Sequence, residues 1–142
     1  MNQKEIEVPM FEWRRVEYPD ILKSGGLEPC IAIGLYDPET RSGYGYHYIP
    51  GSRYTELRKM IASARNVYHD LSGLAVFIGG NSLDSDEDAD SLESSLAERL
   101  RIRKLLGRYF KDSQIQVRWL PNDSSGELFL DTMAGEFRFE VD

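Results

Sequence analysis

Residues 30–36 are a near-continuous apolar run of strand length, closed by the turn sequence Asp37-Pro38-Glu39-Thr40. No other segment restricts the fold as strongly. After the turn, Gly43-Tyr44-Gly45-Tyr46-His47-Tyr48-Ile49 interleaves aromatics with small residues and stops at Pro50-Gly51. The two runs read as an antiparallel hairpin. Side chains alternate along a strand, so Tyr44, Tyr46 and Tyr48 should share one sheet face and His47 should take the other. A core or interface is the expected fate of the tyrosine face, with a substrate groove as the alternative.

The remaining elements follow from periodicity. Ile6, Val8, Phe11, Trp13 and Val16 suggest one or two strands interrupted at Pro9, and Ser24-Gly25-Gly26-Leu27-Glu28-Pro29 reads as a loop. A helix is expected over residues 52–69, with Ser52 as its N-cap and Leu57, Met60, Ile61, Ala64 and Tyr68 inward. Residues 74–78 form a short buried strand stopped by Gly79-Gly80-Asn81. Residues 84–95 are acidic and serine-rich, a solvated loop leading to a second helix over residues 92–110. That helix should place Leu96, Leu100, Leu105, Leu106 and Tyr109 inward, with Arg99, Arg101, Arg103, Lys104 and Arg108 on its polar surface. Strands over residues 114–120, 127–131 and 136–141 close the chain. Without repeats or a long linker, this is a single α+β domain, residues 1–142, with mixed strand order.

Charge narrows the function. The chain has 17 Lys+Arg against 24 Asp+Glu, a net charge of -7, which disfavours binding nucleic acid through phosphates. No apolar run approaches the ~20 residues that span a bilayer, so the chain should not be membrane-embedded. The first residues lack the apolar core of a secretory signal, and a cytoplasmic location is expected. The one cysteine, Cys30, excludes an intramolecular disulfide and a cysteine-built metal cage.

Cys30 stands where a glycine-containing loop becomes an apolar strand, and it is either a small buried hydrophobe or a reactive thiol. Of the two histidines, His47 lies on the strand that the hairpin places beside it. An imidazole there can take the thiol proton and leave a thiolate–imidazolium pair. Their odd separation along the chain does not decide whether they share a face. The bland alternative is core packing for Cys30 and a sheet-surface role for His47.

The stretch Ser24-Gly25-Gly26-Leu27-Glu28-Pro29-Cys30-Ile31-Ala32-Ile33-Gly34-Leu35-Tyr36-Asp37-Pro38, with Gly43 and His47 beyond it, resembles the signature of the CheD family of chemoreceptor glutamine deamidases. That signature has a Thr, a Gly two positions on and a Cys six positions after the Thr. A hydrophobic strand, Asp-Pro, a Gly and a His follow. The order of elements after His47 is also similar to the family's. The resemblance implies a layered sandwich of two mixed β-sheets flanked by helices, as in the cytotoxic-necrotizing-factor and CheD superfamily.

It further implies a thiol amidohydrolase that needs no metal or organic cofactor. Cys30 would attack a glutamine side-chain amide and His47 would act as general base, then as acid toward ammonia. Ser24, at the family's threonine position, would orient the imidazole. Backbone N–H groups near Cys30 would stabilise the oxyanion. The implied partners are a glutamine-bearing protein substrate, a chemoreceptor among them, and a regulatory protein.

Departures bear on the site. Glu28-Pro29 replaces the family's usual Gly-Ser, so one backbone donor is lost and a carboxylate is expected to raise the thiol pKa. The run Tyr48-Ile49-Pro50 is one residue tighter than usual, and the acidic segment 84–95 replaces a different loop. A catalytically silent, protein-binding module on this scaffold is therefore the competing class. A small-molecule amidase is a third, favoured by a deep narrow pocket rather than an open groove. Asp84, Asp86, Asp88 and Asp90 alternate like a calcium loop, but Ala89 and Ser95 stand where an EF-hand needs Gly and Glu. A mobile acidic loop is the better reading. His69 belongs to a helix end and is read as structural.

Overall fold

The computed structural model describes residues 2–142. In chain order these contain β1 (Glu5–Glu7), β2 (Trp13–Glu17), β3 (Ile21–Ser24), β4 (Ile31–Asp37), β5 (Ser42–Tyr48) and α1 (Thr55–Tyr68). There follow β6 (Ala75–Gly80), α2 (Ala89–Leu106), β7 (Ile115–Trp119), β8 (Gly126–Asp131) and β9 (Glu136–Val141). Two mixed sheets result, a five-stranded one ordered β2-β5-β4-β6-β7 and a four-stranded one ordered β1-β3-β8-β9. The parallel pairs are β6 with β7 and β1 with β3. No helix among the described residues is long and apolar enough to cross a membrane.

The tyrosine alternation decides where the layers lie. Tyr44, Tyr46 and Tyr48 join Ile31, Ile33 and Leu35 in a core that receives Leu57, Met60, Ile61 and Ala64 of α1. Ile102, Leu105 and Leu106 of α2 fill the same core, so both helices cover one face of the five-stranded sheet. On the opposite face, Cys30, Ala32 and Phe77 pack with Leu128 and Phe139 of the four-stranded sheet, and Val16 and Tyr36 pack with Leu22 and Leu130. The layers therefore run helices, sheet, sheet. The tyrosine face is core, buried beneath both helices.

Glycines on the inter-sheet face admit the second sheet. A Cβ at Gly34 or Gly45 would overlap Phe137 or Leu22, and one at Gly43 would overlap Leu35 O and lie 2.7 Å from Leu130 Cδ2.

Several boundaries differ from the sequence expectation. Strand β3 lies where no strand was expected, and it carries Ser24 into the four-stranded sheet opposite Leu128. Helix α1 starts after Tyr54 without a side-chain cap, so Ser52 is not its N-cap. Gly79 and Gly80 do not stop the 74–78 strand. They extend β6, pairing with Ala32 and Ile31. Helix α2 begins inside the expected acidic loop, where Asp88 accepts from Ser91 N–H at 2.8 Å and caps it.

The largest correction concerns the face of α2. Leu96 and Leu100 are 46% and 72% exposed, while Glu98 and Ile102 are buried with Leu105 and Leu106. The inward face is displaced because a carboxylate occupies a core position. Glu98 accepts from the Tyr48 hydroxyl and pairs with Arg101 at 2.5 Å. A buried carboxylate is tolerated only with such partners, and apolar periodicity cannot find it.

Gly43→Ala tests the close approach of the sheets. Its methyl collides with backbone rather than with a flexible side chain, so a loss of about 1–3 kcal/mol or more is expected in urea unfolding.

Candidate active site

Ser24 is the last residue of β3, in the four-stranded sheet, and His47 lies on β5 in the other. The packed sheets bring Ser24 Oγ to 3.1 Å from His47 Nδ1, and both residues are buried. The remaining ring nitrogen, Nε2, is buried and has no hydrogen-bond partner in the protein. When Nδ1–H donates to Ser24 Oγ, Nε2 keeps its lone pair and is the basic atom of the ring. The histidine backbone is fixed as well. His47 N–H donates to Glu12 O at 3.2 Å, and His47 O accepts from Phe11 N–H at 3.0 Å.

The register resolves whether Cys30 and His47 share a face. His47 stands opposite Ala32 on β4, and Cys30 lies two residues before Ala32 on the same side. Cys30 is thus a diagonal neighbour of His47 on the inter-sheet face, a relation with a typical spacing of about 7–8 Å. The thiol packs among Leu27, Ala32, Phe77, Leu120, Leu128 and Phe139 and is 4% exposed. Burial pushes the thiol pKa up and the His47 pKa down. Both shifts favour the neutral forms, so the resting pair is thiol and imidazole, not the thiolate–imidazolium pair that adjacency suggested.

Glu28 does not act on the thiol as its sequence position suggested. It is exposed, as is Pro29, and both line a surface depression of about 390 Å³ with Asp84, Glu87 and Asp123. Desolvation alone raises the thiol pKa.

Two residues to which sequence reasoning assigned no part in the site hold the cysteine loop. Asn81 has a left-handed backbone, φ 54°, which asparagine tolerates better than most residues. Its N–H donates to Cys30 O at 2.8 Å and its side-chain amide to Pro29 O at 2.9 Å. Arg99 Nε donates to Asn81 Oδ1 at 2.7 Å, and its guanidinium also donates to Asn81 O and lies 4.9 Å from the Trp119 ring centre. Arg99 was read as solvated surface. The one available signal was the Gly80-Asn81 step, a glycine followed by a residue that accepts a left-handed backbone.

An open groove of about 400 Å³ reaches His47 between Pro9, Met10, Lys23, Gly26 and Glu127. Cys30 does not line it, although Gly25 and Gly26 begin the loop that leads to the thiol. His69 ends α1 with φ 64° and donates its N–H to Arg65 O at 2.8 Å, a place in the helix terminus rather than in this site. In the acidic segment, Asp84 accepts from Asp86 N–H at 2.9 Å. Among the described residues, no group of three His, Cys, Asp or Glu side chains is arranged to hold a metal ion.

Comparison with known protein families gives no family model that matches the chain, and comparison with curated proteins gives no match either.

The burial of His47 has a consequence for stability. Its folded pKa lies below its unfolded value, so unfolding takes up a proton over the acidic flank of the histidine range. His47 therefore favours folding above about pH 6.5, and that contribution is lost as the pH falls. Urea unfolding as a function of pH should show this loss, and His47→Gln should flatten the profile there. Alkylation of native Cys30 by iodoacetamide should be slower than in the unfolded chain and should titrate above the free-thiol range.

Proposed function

We propose that this chain is a thiol amidohydrolase of the CheD kind, hydrolysing glutamine side-chain amides on a protein. One observation carries the reading. Ser24 engages one nitrogen of a buried imidazole and leaves the other unpartnered on the face that Cys30 shares.

In the proposed reaction the neutral thiol is deprotonated as it attacks. Cys30 Sγ forms a bond to the amide carbon while Nε2 takes the thiol proton. The imidazolium then gives that proton to the departing nitrogen, and ammonia leaves a γ-glutamyl thioester. Water, deprotonated by the same nitrogen, cleaves the thioester to glutamate and restores the thiol. Ser24 holds the ring in the tautomer that begins the cycle. Because thiol and imidazole are diagonal neighbours, substrate binding must shorten the distance between them. The open groove at His47 suits a side chain presented by a protein better than it suits a free small molecule. A chemoreceptor is the substrate class that the resemblance names. The reading also places the chain in the cytoplasm, where a lone thiol stays reduced.

The second reading, a silent binding module, is favoured by the burial of Cys30 and its absence from the groove lining. Ammonia release from glutamine-bearing proteins, mapped by mass spectrometry, separates the two. An enzyme loses all release in Cys30→Ala and about a hundred- to ten-thousand-fold in His47→Ala. In Ser24→Ala the loss of one hydrogen bond, about 1 kcal/mol, slows release roughly fivefold. Release that persists in Cys30→Ala would overturn the proposal.

A further inference from the structure

Two motifs have no part in the chemistry of Cys30. One is the charge segregation along α2, and the other is its outward pair of leucines. Asp84, Asp86, Glu87, Asp88, Asp90 and Glu93 precede or open the helix, whereas Arg101, Arg103, Lys104 and Arg108 lie on or just beyond its C-terminal half. Acidic first turns and basic last turns complement any helix dipole, which accounts for Asp90, Arg103 and Lys104. The dipole does not account for Leu96 and Leu100, 46% and 72% exposed on the face turned away from the core.

The outward face is close to symmetric about the midpoint of those leucines. Glu93 stands one turn before Leu96, Lys104 one turn after Leu100, and the exposed Ala97 lies between. Beside the C-terminal half of α2 runs a groove of about 290 Å³ lined by Arg58, Arg101, Lys104 and Arg108, with no carboxylate in its lining. Among the described residues, Arg58, Lys104 and Arg108 have no ion-pair partner, nor do Asp90 and Glu93.

We propose that α2 is the contact face of a two-fold homodimer in which the helices of two copies lie antiparallel. A two-fold axis at the leucine midpoint places Leu96 against Leu100 of the second copy and Glu93 against its Lys104, each contact occurring twice. The acidic segment of each copy then lies along the basic groove of the other. Ala97 at the axis lets the helices approach closely. A second copy is the occupant because one surface carries both halves of the complementary pattern in the required order. The contact is a single helix face, smaller than the ~800 Å² per partner of a standard interface, so dissociation in roughly the tens to hundreds of micromolar is expected.

Sedimentation of the full chain from ~1 µM to ~1 mM is the test. A reversible monomer–dimer equilibrium is expected, with dissociation promoted by salt. Leu100→Glu should raise the dissociation constant at least about tenfold. Glu93→Lys and Lys104→Glu should each weaken the dimer, and the double exchange should restore it, since it reverses the same pair of contacts. These positions are exposed, and unchanged thermal unfolding monitored by circular dichroism checks that each variant is folded. A monomer at every concentration overturns the proposal and leaves the basic groove to an acidic partner of another kind. So does a dimer insensitive to Leu100→Glu, or a double exchange that fails to recover.

Discussion

The approach of the four-stranded sheet to the glycine-bearing face of β4 and β5 governs the rest of the molecule. Gly34, Gly43 and Gly45 leave no room for a Cβ on that face, and the space they vacate is filled by Phe137, Leu130 and Leu22. The same closeness lets Ser24, on one sheet, meet His47, on the other, at 3.1 Å. Wider sheet spacing would keep much of the apolar packing but separate the serine from the imidazole. The candidate site is thus a product of inter-sheet distance, and its serine–histidine contact depends on core glycines that touch neither residue.

Burial sets the electrostatics of the site. Thiol and imidazole sit at the edge of an apolar core, where desolvation opposes charge on either. In a thiol hydrolase with a resting ion pair, proton transfer comes before substrate. Under the proposed function the transfer would be coupled to attack, and the imidazolium would be best tolerated while the oxyanion is also present. Ser24 meets Nδ1, and Nε2 finds no hydrogen-bond partner in the protein, so any partner of that nitrogen must come from outside the chain.

The hairpin was the most legible part of the sequence because alternation fixes faces. The tyrosines, His47 and the turn at Asp37-Pro38 fall as period-2 reading places them. The first helix was legible for the same reason, its inward side following Leu57, Met60, Ile61 and Ala64. Legibility ended where a polar group does the work of an apolar one. Glu98 is buried because Tyr48 and Arg101 meet it, and that partnership exists only after folding. With Glu98 hidden, the leucine pattern pointed Leu96 and Leu100 inward, although Leu105 and Leu106 are buried as the pattern places them. Strand β3 is four residues long and was passed over, although Ser24 itself was found through resemblance. Arg99 and Asn81 were missed because their meeting joins α2 to the end of β6, a contact that neither local sequence announces.

Those missed contacts give α2 a role that packing alone would not. Its inner face reaches the candidate site along two routes. Arg99 holds Asn81, which in turn holds the carbonyls of Pro29 and Cys30. Glu98 takes the hydroxyl of Tyr48, the residue after His47 on β5. Burial, and Glu98 beside it, push the Tyr48 phenol far up, so it remains a donor at any physiological pH. One helix therefore steadies the loop of the thiol and the strand of the imidazole together. A shift of α2 relative to the five-stranded sheet would move both tethers, because Glu98 and Arg99 are adjacent in sequence. Under the proposed function the spacing of Cys30 and His47 is the quantity that would have to change, and α2 is tied to both sides of it.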